Sequence, residues 1–208
     1  MENFVKIKKI LTPSILVASI VACVLLLVSG IFGFTRINNI ADGDMVYYTL
    51  TYIIKIVAGL VGGYFSIMGL VLTQKNEDND DVFNRILNPF IVIGVAYLVL
   101  YIIRGMFILK TEGDHINRYI LMVMMSFVIA GLGVLGSAML FLGTYFDLES
   151  QKNKKVITSA VGLCGLFLAF LFRVIFLYPD IFDMISSITG MAIMLASGCY
   201  LFFLAKKK

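Results

Sequence analysis

Apolar residues in this chain fall into six long runs separated by short polar stretches. The runs are Leu11–Phe34, Met45–Leu72, Asn88–Leu109, Tyr119–Phe146, Val156–Leu177 and Met184–Leu204. Each has at least the roughly 20 residues a helix needs to cross about 30 Å of hydrocarbon. Strands are excluded as spans: no period-two alternation is visible, and an open sheet cannot satisfy its backbone in lipid. The pattern predicts an all-α integral membrane fold of six transmembrane helices over about 11–34, 45–72, 88–109, 119–146, 156–177 and 184–204. The longest connection, residues 73–87, is too short for an extramembrane domain, so residues 1–208 form a single membrane domain.

Composition agrees. Hydrophobic residues make up 60% and charged residues 14% of the chain, against about 45–50% and about 25% in soluble domains. Of the 17 lysines and arginines, eleven lie in the two termini and the second and fourth connections. Three, Arg36, Lys110 and Arg118, lie on the other side. Cytoplasmic loops carry the excess of basic residues, which predicts a multi-pass plasma-membrane protein with both termini cytoplasmic (N-in/C-in). The net charge of +4 is therefore a topology signal, and no nucleic-acid partner is expected. The first apolar run exceeds the 7–15 residues of a signal-peptide core, so a retained helix is expected there. Ile20-Val21-Ala22-Cys23 has the form of a lipoprotein cleavage box, but Leu25–Val28 continue the apolar run where such a protein turns polar. Cys23, Cys164 and Cys199 lie inside the spans and are expected to be small buried residues, with no disulfide or ligand spacing.

The odd-numbered helices begin alike: Lys9-Ile-Leu-Thr-Pro13, Arg85-Ile-Leu-Asn-Pro89 and Lys155-Val-Ile-Thr-Ser159. Thr and Asn suit a helix N-cap, Pro suits the first turn, and the basic residue suits the interface just outside. Arg104 and Arg173 then follow at nearly the same spacing from Arg85 and Lys155. These matches predict three repeated helical hairpins, 9–72, 85–146 and 155–204, the first diverged. Internal repeats of this kind occur in transport proteins.

The even helices carry small residues at helical spacing. The second has Lys55, Gly59, Gly62, Ser66 and Gly69 on one face. The fourth has Ser126, Ala130, Gly133 and Ser137, and the sixth has Ser186, Gly190, Ile193 and Ser197. Small faces let helix backbones approach closely in a membrane. Gly59, Gly62, Gly63, Gly133, Ser137, Ala192 and Ala196 are the predicted helix-packing positions, and the even helices are expected to form the inside of the bundle.

Chemistry is sparse. No Asp or Glu lies in a span, which disfavours a carrier that binds its driving ion on a membrane carboxylate. Three cations do: Lys55, Arg104 and Arg173. Arg104 and Arg173 lie near helix ends and read as anchors reaching the headgroups, with Tyr101 and Tyr178 in the interfacial belt. Lys55 is deeper and on the glycine face, with Asp42, Asp44, Ser126 and Ser186 as candidate partners. Asp42, Asp44, Glu112, Asp114, Asp180 and Asp183 flank the same side of the membrane. The single histidine, His115, falls in a loop, where one imidazole makes neither a zinc site nor an intramembrane Ser-His pair. No nucleotide, metal or catalytic motif is present, and neither a cofactor nor a metal is expected. The acidic run Lys75–Asp81 lacks calcium-loop spacing and reads as a solvated connection.

Two functions fit. The first is a non-enzymatic polytopic membrane protein that acts by association, as a membrane subunit or accessory component of a larger envelope or transport assembly. It would contact membrane lipids and a protein partner or further copies of itself. The second is a small carrier or solute-binding membrane component, with an outward-facing cationic site for an anion or lipid headgroup built from Lys55, Arg104, Arg173, Ser126 and Ser186. Six helices in about 200 residues, with Ala18-x-x-x-Ala22 in the first, resemble the substrate-binding components of energy-coupling-factor vitamin importers. That resemblance implies the second reading.

Overall fold

The computed structural model describes the backbone of residues 2–37, 44–73, 79–111, 116–147, 150–177 and 181–206, and side chains for 12–37, 44–73, 84–111, 119–147, 150–177, 181–182 and 184–202. It is all-helical: α1 (Glu2–Thr35), α2 (Met45–Thr73), α3 (Asn79–Thr111), α4 (Ile116–Tyr145), α5 (Lys152–Phe176) and α6 (Ile181–Lys206). All six are long and apolar enough to cross a membrane. Several extend beyond the apolar runs, because polar residues at a span's ends continue the hydrogen-bonded spiral into the interface.

That extension corrects the expected helix starts. α1 and α3 begin well before the repeated motif, so Pro13 and Pro89 lie inside their helices. Thr12 and Asn88 are then interior positions and not N-caps. An interior proline removes one intrahelical donor, and membrane helices tolerate this where neighbours and local adjustments compensate. Thr158 likewise sits inside α5, where its hydroxyl donates to the Lys154 carbonyl (2.8 Å).

Successive helices pack antiparallel, and the register can be read from side chains. On the first pair, Gly30 lies against Ile56, Gly59 against Cys23 and Leu27, and Gly69 against Leu16. Each helix packs on its chain neighbour and α6 closes onto α1, making a ring. α1 begins and α6 ends on one face, called here the terminal face; the other is the far face.

The ring is not regular. α2 sits outside α1 and α3, and α4 sits outside α3 and α5, while a central cavity is lined by α1, α3, α5 and α6. The share of span residues buried is lowest in α2 (28%) and α4 (39%) and highest in α3 (56%). The expectation that the even helices form the inside is therefore corrected for α2 and α4, whereas α6 does line the centre. Their small-residue faces do point inward: the buried residues of α2 are Lys55, Ala58, Gly59, Gly62, Ser66 and Gly69. Small faces let α2 and α4 lie close against the odd helices from outside, while their bulkier faces meet the apolar surroundings.

α4 is wedged between two neighbours and uses two glycines three residues apart. A Cβ on Gly133 would meet the Gly94 carbonyl of α3 at 2.8 Å; one on Gly136 would meet Leu166 Cγ at 2.6 Å and the Gly162 carbonyl of α5 at 3.0 Å. Ser137 donates across to the Ile91 carbonyl (3.1 Å) beside the first crossing. Packing thus runs continuously from α3 through α4 to α5.

Other packing positions differ in their surroundings. Gly62 is held against Cys23 Sγ, whereas Gly63 has only an ordinary contact with Cys23 Cβ at 3.8 Å. Ala196 packs on the core while Ala192 is exposed, so the Ala192–Ala196 pair does not close a helix contact in the bundle described. Cys23 is buried, but Cys164 and Cys199 are exposed, which corrects the expectation that all three are buried.

Candidate functional site

The cations within the helices are each held by a different set of groups. Lys55, on the inward face of α2, is 6% exposed and its Nζ donates to the Ser29 hydroxyl of α1 (3.0 Å). Ser29 was not among its expected partners. Asp42 lies outside the described residues. Ser126 instead donates to the Met122 carbonyl of its own helix (2.8 Å), and Ser186 donates to the Ala22 carbonyl of α1 (3.3 Å).

Arg173 is not a headgroup anchor. It is 3% exposed, and its Nη1 donates to the Tyr97 hydroxyl (2.6 Å) and the Ser187 hydroxyl (2.9 Å). Its guanidinium carbon lies 5.3 Å from the centre of the Tyr97 ring, within cation–π range. Phe170 and Tyr101 pack edge-on against the same ring, at 5.0 and 5.5 Å between centroids. Tyr101 is itself buried, which removes it from the interfacial belt. The reason lies in helix rotation: α5 turns Arg173 toward α3 and α6, so a guanidinium near a helix end still points into the protein. Tyr178 lies outside the described residues, as do His115, the side chains of Lys75–Asp81 and all the flanking acids except Asp44.

Arg104 occupies the matching position on α3 but has another environment. It is half-buried, and its Nη2 reaches the Leu177 carbonyl at the C-terminus of α5 at a long 3.4 Å. The last carbonyls of a helix lack intrahelical donors and carry partial negative charge, so a cation is favoured there.

Lys155 was read as an ordinary interfacial residue in the repeated motif, and the structure corrects this. It is 0% exposed. Its Nζ donates to Asn84 Oδ1 on α3 (2.8 Å) and to the Phe146 carbonyl just beyond α4 (2.9 Å). Lys155 therefore joins the starts of α3 and α5 to the end of α4. No local sequence signal pointed here, because the acceptors come from other segments; nearby, Ser150 N and Oγ donate to Asp147 Oδ2 (3.1 and 2.9 Å). Replacing Lys155 with Met keeps the stem but leaves two buried acceptors without this donor. The Lys155→Met protein is expected to lose about 1–3 kcal/mol of stability, read as a lower unfolding midpoint in detergent, with Lys154→Met, at an exposed neighbour, unchanged.

The central cavity is bounded by Ser19, Ala22, Leu26, Phe90, Ile93, Tyr97, Phe170, Ser186, Gly190, Ile193 and Met194, and measures about 10 Å³. That is room for about one water. Its serines are turned to backbone: Ser19 donates to the Ile15 carbonyl (2.9 Å), and Ser186 to Ala22 as above. The walls are otherwise aliphatic and aromatic. Neither Lys55 nor Arg104 lines it. The interior at this level is a packed core, and its chemistry is that of structural hydrogen bonds.

No family model, curated protein or solved structure matches this chain.

Proposed function

We propose that this protein is a non-enzymatic membrane component that works by association, as a subunit or accessory of a larger envelope or transport assembly. In this reading it is a multi-pass plasma-membrane protein with both termini cytoplasmic, as the eleven-to-three distribution of basic residues favours. Its helices derive from three hairpin repeats, and its partner is another membrane protein or a further copy of itself.

The observation that carries the reading is the size of the central cavity. A site for a small organic solute encloses about 300–1,000 Å³, and the space among α1, α3, α5 and α6 is about 10 Å³. Lys55 and Arg173, the natural ligands for an anion at depth, are turned to Ser29 and to Tyr97 and Ser187.

Photo-crosslinking in cells tests this. A photoreactive residue at Leu60 on α2 or Leu195 on α6, both outward-facing, is expected to yield an adduct of one defined mass. The same residue at a partly buried position such as Leu98 should yield none. The reading fails if all outward positions give no protein adduct while the purified protein alone moves a labelled organic anion into proteoliposomes.

A further inference from the structure

We propose that Arg104 holds a phosphoryl oxyanion at the far mouth of the bundle, supplied by a phospholipid headgroup. The site uses Arg104, not Lys55 or Arg173, and it stands whether or not the protein belongs to an assembly.

The first observation is an unmet hydrogen-bonding demand. A guanidinium carries five N–H donors and stays charged at any physiological pH. Arg104 Nε is buried and has no acceptor among the described residues, and Nη2 has only the long 3.4 Å contact with Leu177 O. The contrast with Arg173, in the matching place on α5, lies in the terminal nitrogens and not in Nε: its Nη1 meets hydroxyl acceptors at 2.6 and 2.9 Å, where Arg104 has the single 3.4 Å contact. A half-buried cation in an apolar setting is costly unless several oxygens meet it. A phosphoryl group brings such oxygens in the planar, two-point geometry a guanidinium matches best.

Depth is the second observation. Arg104 lies seven residues before the end of α3 at Thr111, about 10 Å along the axis. A long arginine side chain reaches the headgroup layer from there. The surroundings belong to that layer. Tyr47 of α2 stacks on Phe107, one turn beyond Arg104, with centroids 4.0 Å apart. Tyr48 and Tyr52 continue the aromatic group, 6.1 Å apart, and Tyr52 lies 5.8 Å from Phe34 of α1. Tyrosines gather where apolar rings meet polar headgroups. At this level of a bilayer, phospholipid phosphate is the abundant oxyanion.

The test uses the full-length protein, delipidated in detergent, with native mass spectrometry and thermal unfolding as readouts. Three probes are added separately: phosphatidylglycerol, a phosphate-free galactolipid of the same chain length, and inorganic phosphate. Phosphatidylglycerol is expected to be retained and to raise the unfolding temperature, and the other two to do neither. Arg104→Gln should weaken retention about tenfold or more, the range for a charged hydrogen-bonded contact. Arg104→Lys keeps the charge beside the α5 C-terminus, so the fold is preserved, yet it loses the two-point fork and should also bind more weakly. Equal phosphatidylglycerol retention by the parent and both variants overturns the site. Retention of the galactolipid at the same level overturns the phosphoryl chemistry. Arg104-dependent binding of inorganic phosphate without phosphatidylglycerol overturns the lipid source and assigns the oxyanion to a solute.

Discussion

Gly136→Val is expected to abolish the folded protein, or to leave a species whose α4 and α5 no longer pack. A Cβ at Gly136 would already lie 2.6 Å from Leu166 Cγ and 3.0 Å from the Gly162 carbonyl, and valine adds two methyls to it. Leu166 is fully buried, so it has no free space to move into. Gly165, one turn along α5 from Gly162, brings backbone against backbone: its Cβ direction meets Gly136 Cα and N at 3.3 Å. Overpacking in a core costs about 1–3 kcal/mol where side chains can shift. Here one obstacle is a helix backbone, which moves only with its whole helix, so the loss should exceed that range. Gly131, on the same helix, has nothing within 4 Å of its Cβ position and is exposed. Gly131→Ala should be neutral or stabilising by up to about 1 kcal/mol, since alanine is the better helix former. Expression level, size-exclusion profile and unfolding midpoint of the two variants check the contrast. A Gly136→Val protein as stable as Gly131→Ala would show that the α4–α5 crossing is not as close as described.

Tyr97→Phe should produce the second large effect, and it separates two contributions to Arg173. Phenylalanine keeps the ring, so the cation–π contact at 5.3 Å and the edge-on packing of Phe170 survive. Only the hydroxyl that accepts from Nη1 at 2.6 Å is lost. Hydrogen bonds between neutral groups in membrane proteins average about 0.6 kcal/mol, but bonds to a charged group are worth about 1.5–3 kcal/mol. The guanidinium is buried, so the larger figure applies. Ser187→Ala removes the second Nη1 acceptor and should cost less, the bond being longer. The two share one donor and are not expected to be additive: Tyr97→Phe should cost more in the Ser187→Ala background than in the parent. Unfolding midpoints of the two single variants and the double variant measure this. A Tyr97→Phe midpoint indistinguishable from the parent would show that the hydroxyl contributes little to holding the cation.

The small-residue stripes were among the more informative parts of the sequence. Lys55, Gly59, Gly62, Ser66 and Gly69 are all buried on α2, and Ser126, Ala130, Gly133 and Ser137 are all buried on α4. Spacing along one helix was enough to find the inward face, because helical periodicity is a local property. It was not enough to place the helices. α2 and α4 turn those faces inward from the periphery, a relation between helices that no single-helix pattern encodes. Gly136 shows the same limit: it belongs to no stripe, yet α4 needs it because it has a second neighbour in α5.

Among the charges, Lys55 was legible as an internal cation, since it shares the glycine face. Arg104 and Arg173 were not distinguishable, being alike in spacing, depth and flanking residues. Nor did anything local mark Lys155 as a fully buried side chain, because its acceptors come from Asn84 and Phe146, on other segments.

The sequence by itself determined that this chain is helical and long enough in six places to cross a membrane, and which face of each even helix is buried. Those properties follow from hydrophobic run length and from the 3.6-residue period, both carried by neighbouring residues. Only the tertiary structure decided which helices surround the centre, that the centre closes to about 10 Å³, and that Arg173 is buried against two hydroxyls while Arg104 is half-buried with one long contact to the end of α5. Those depend on the rotation and register of helices against one another. Close contacts such as Gly94 with Gly133 and Gly136 with Gly162 set that register across distant parts of the chain.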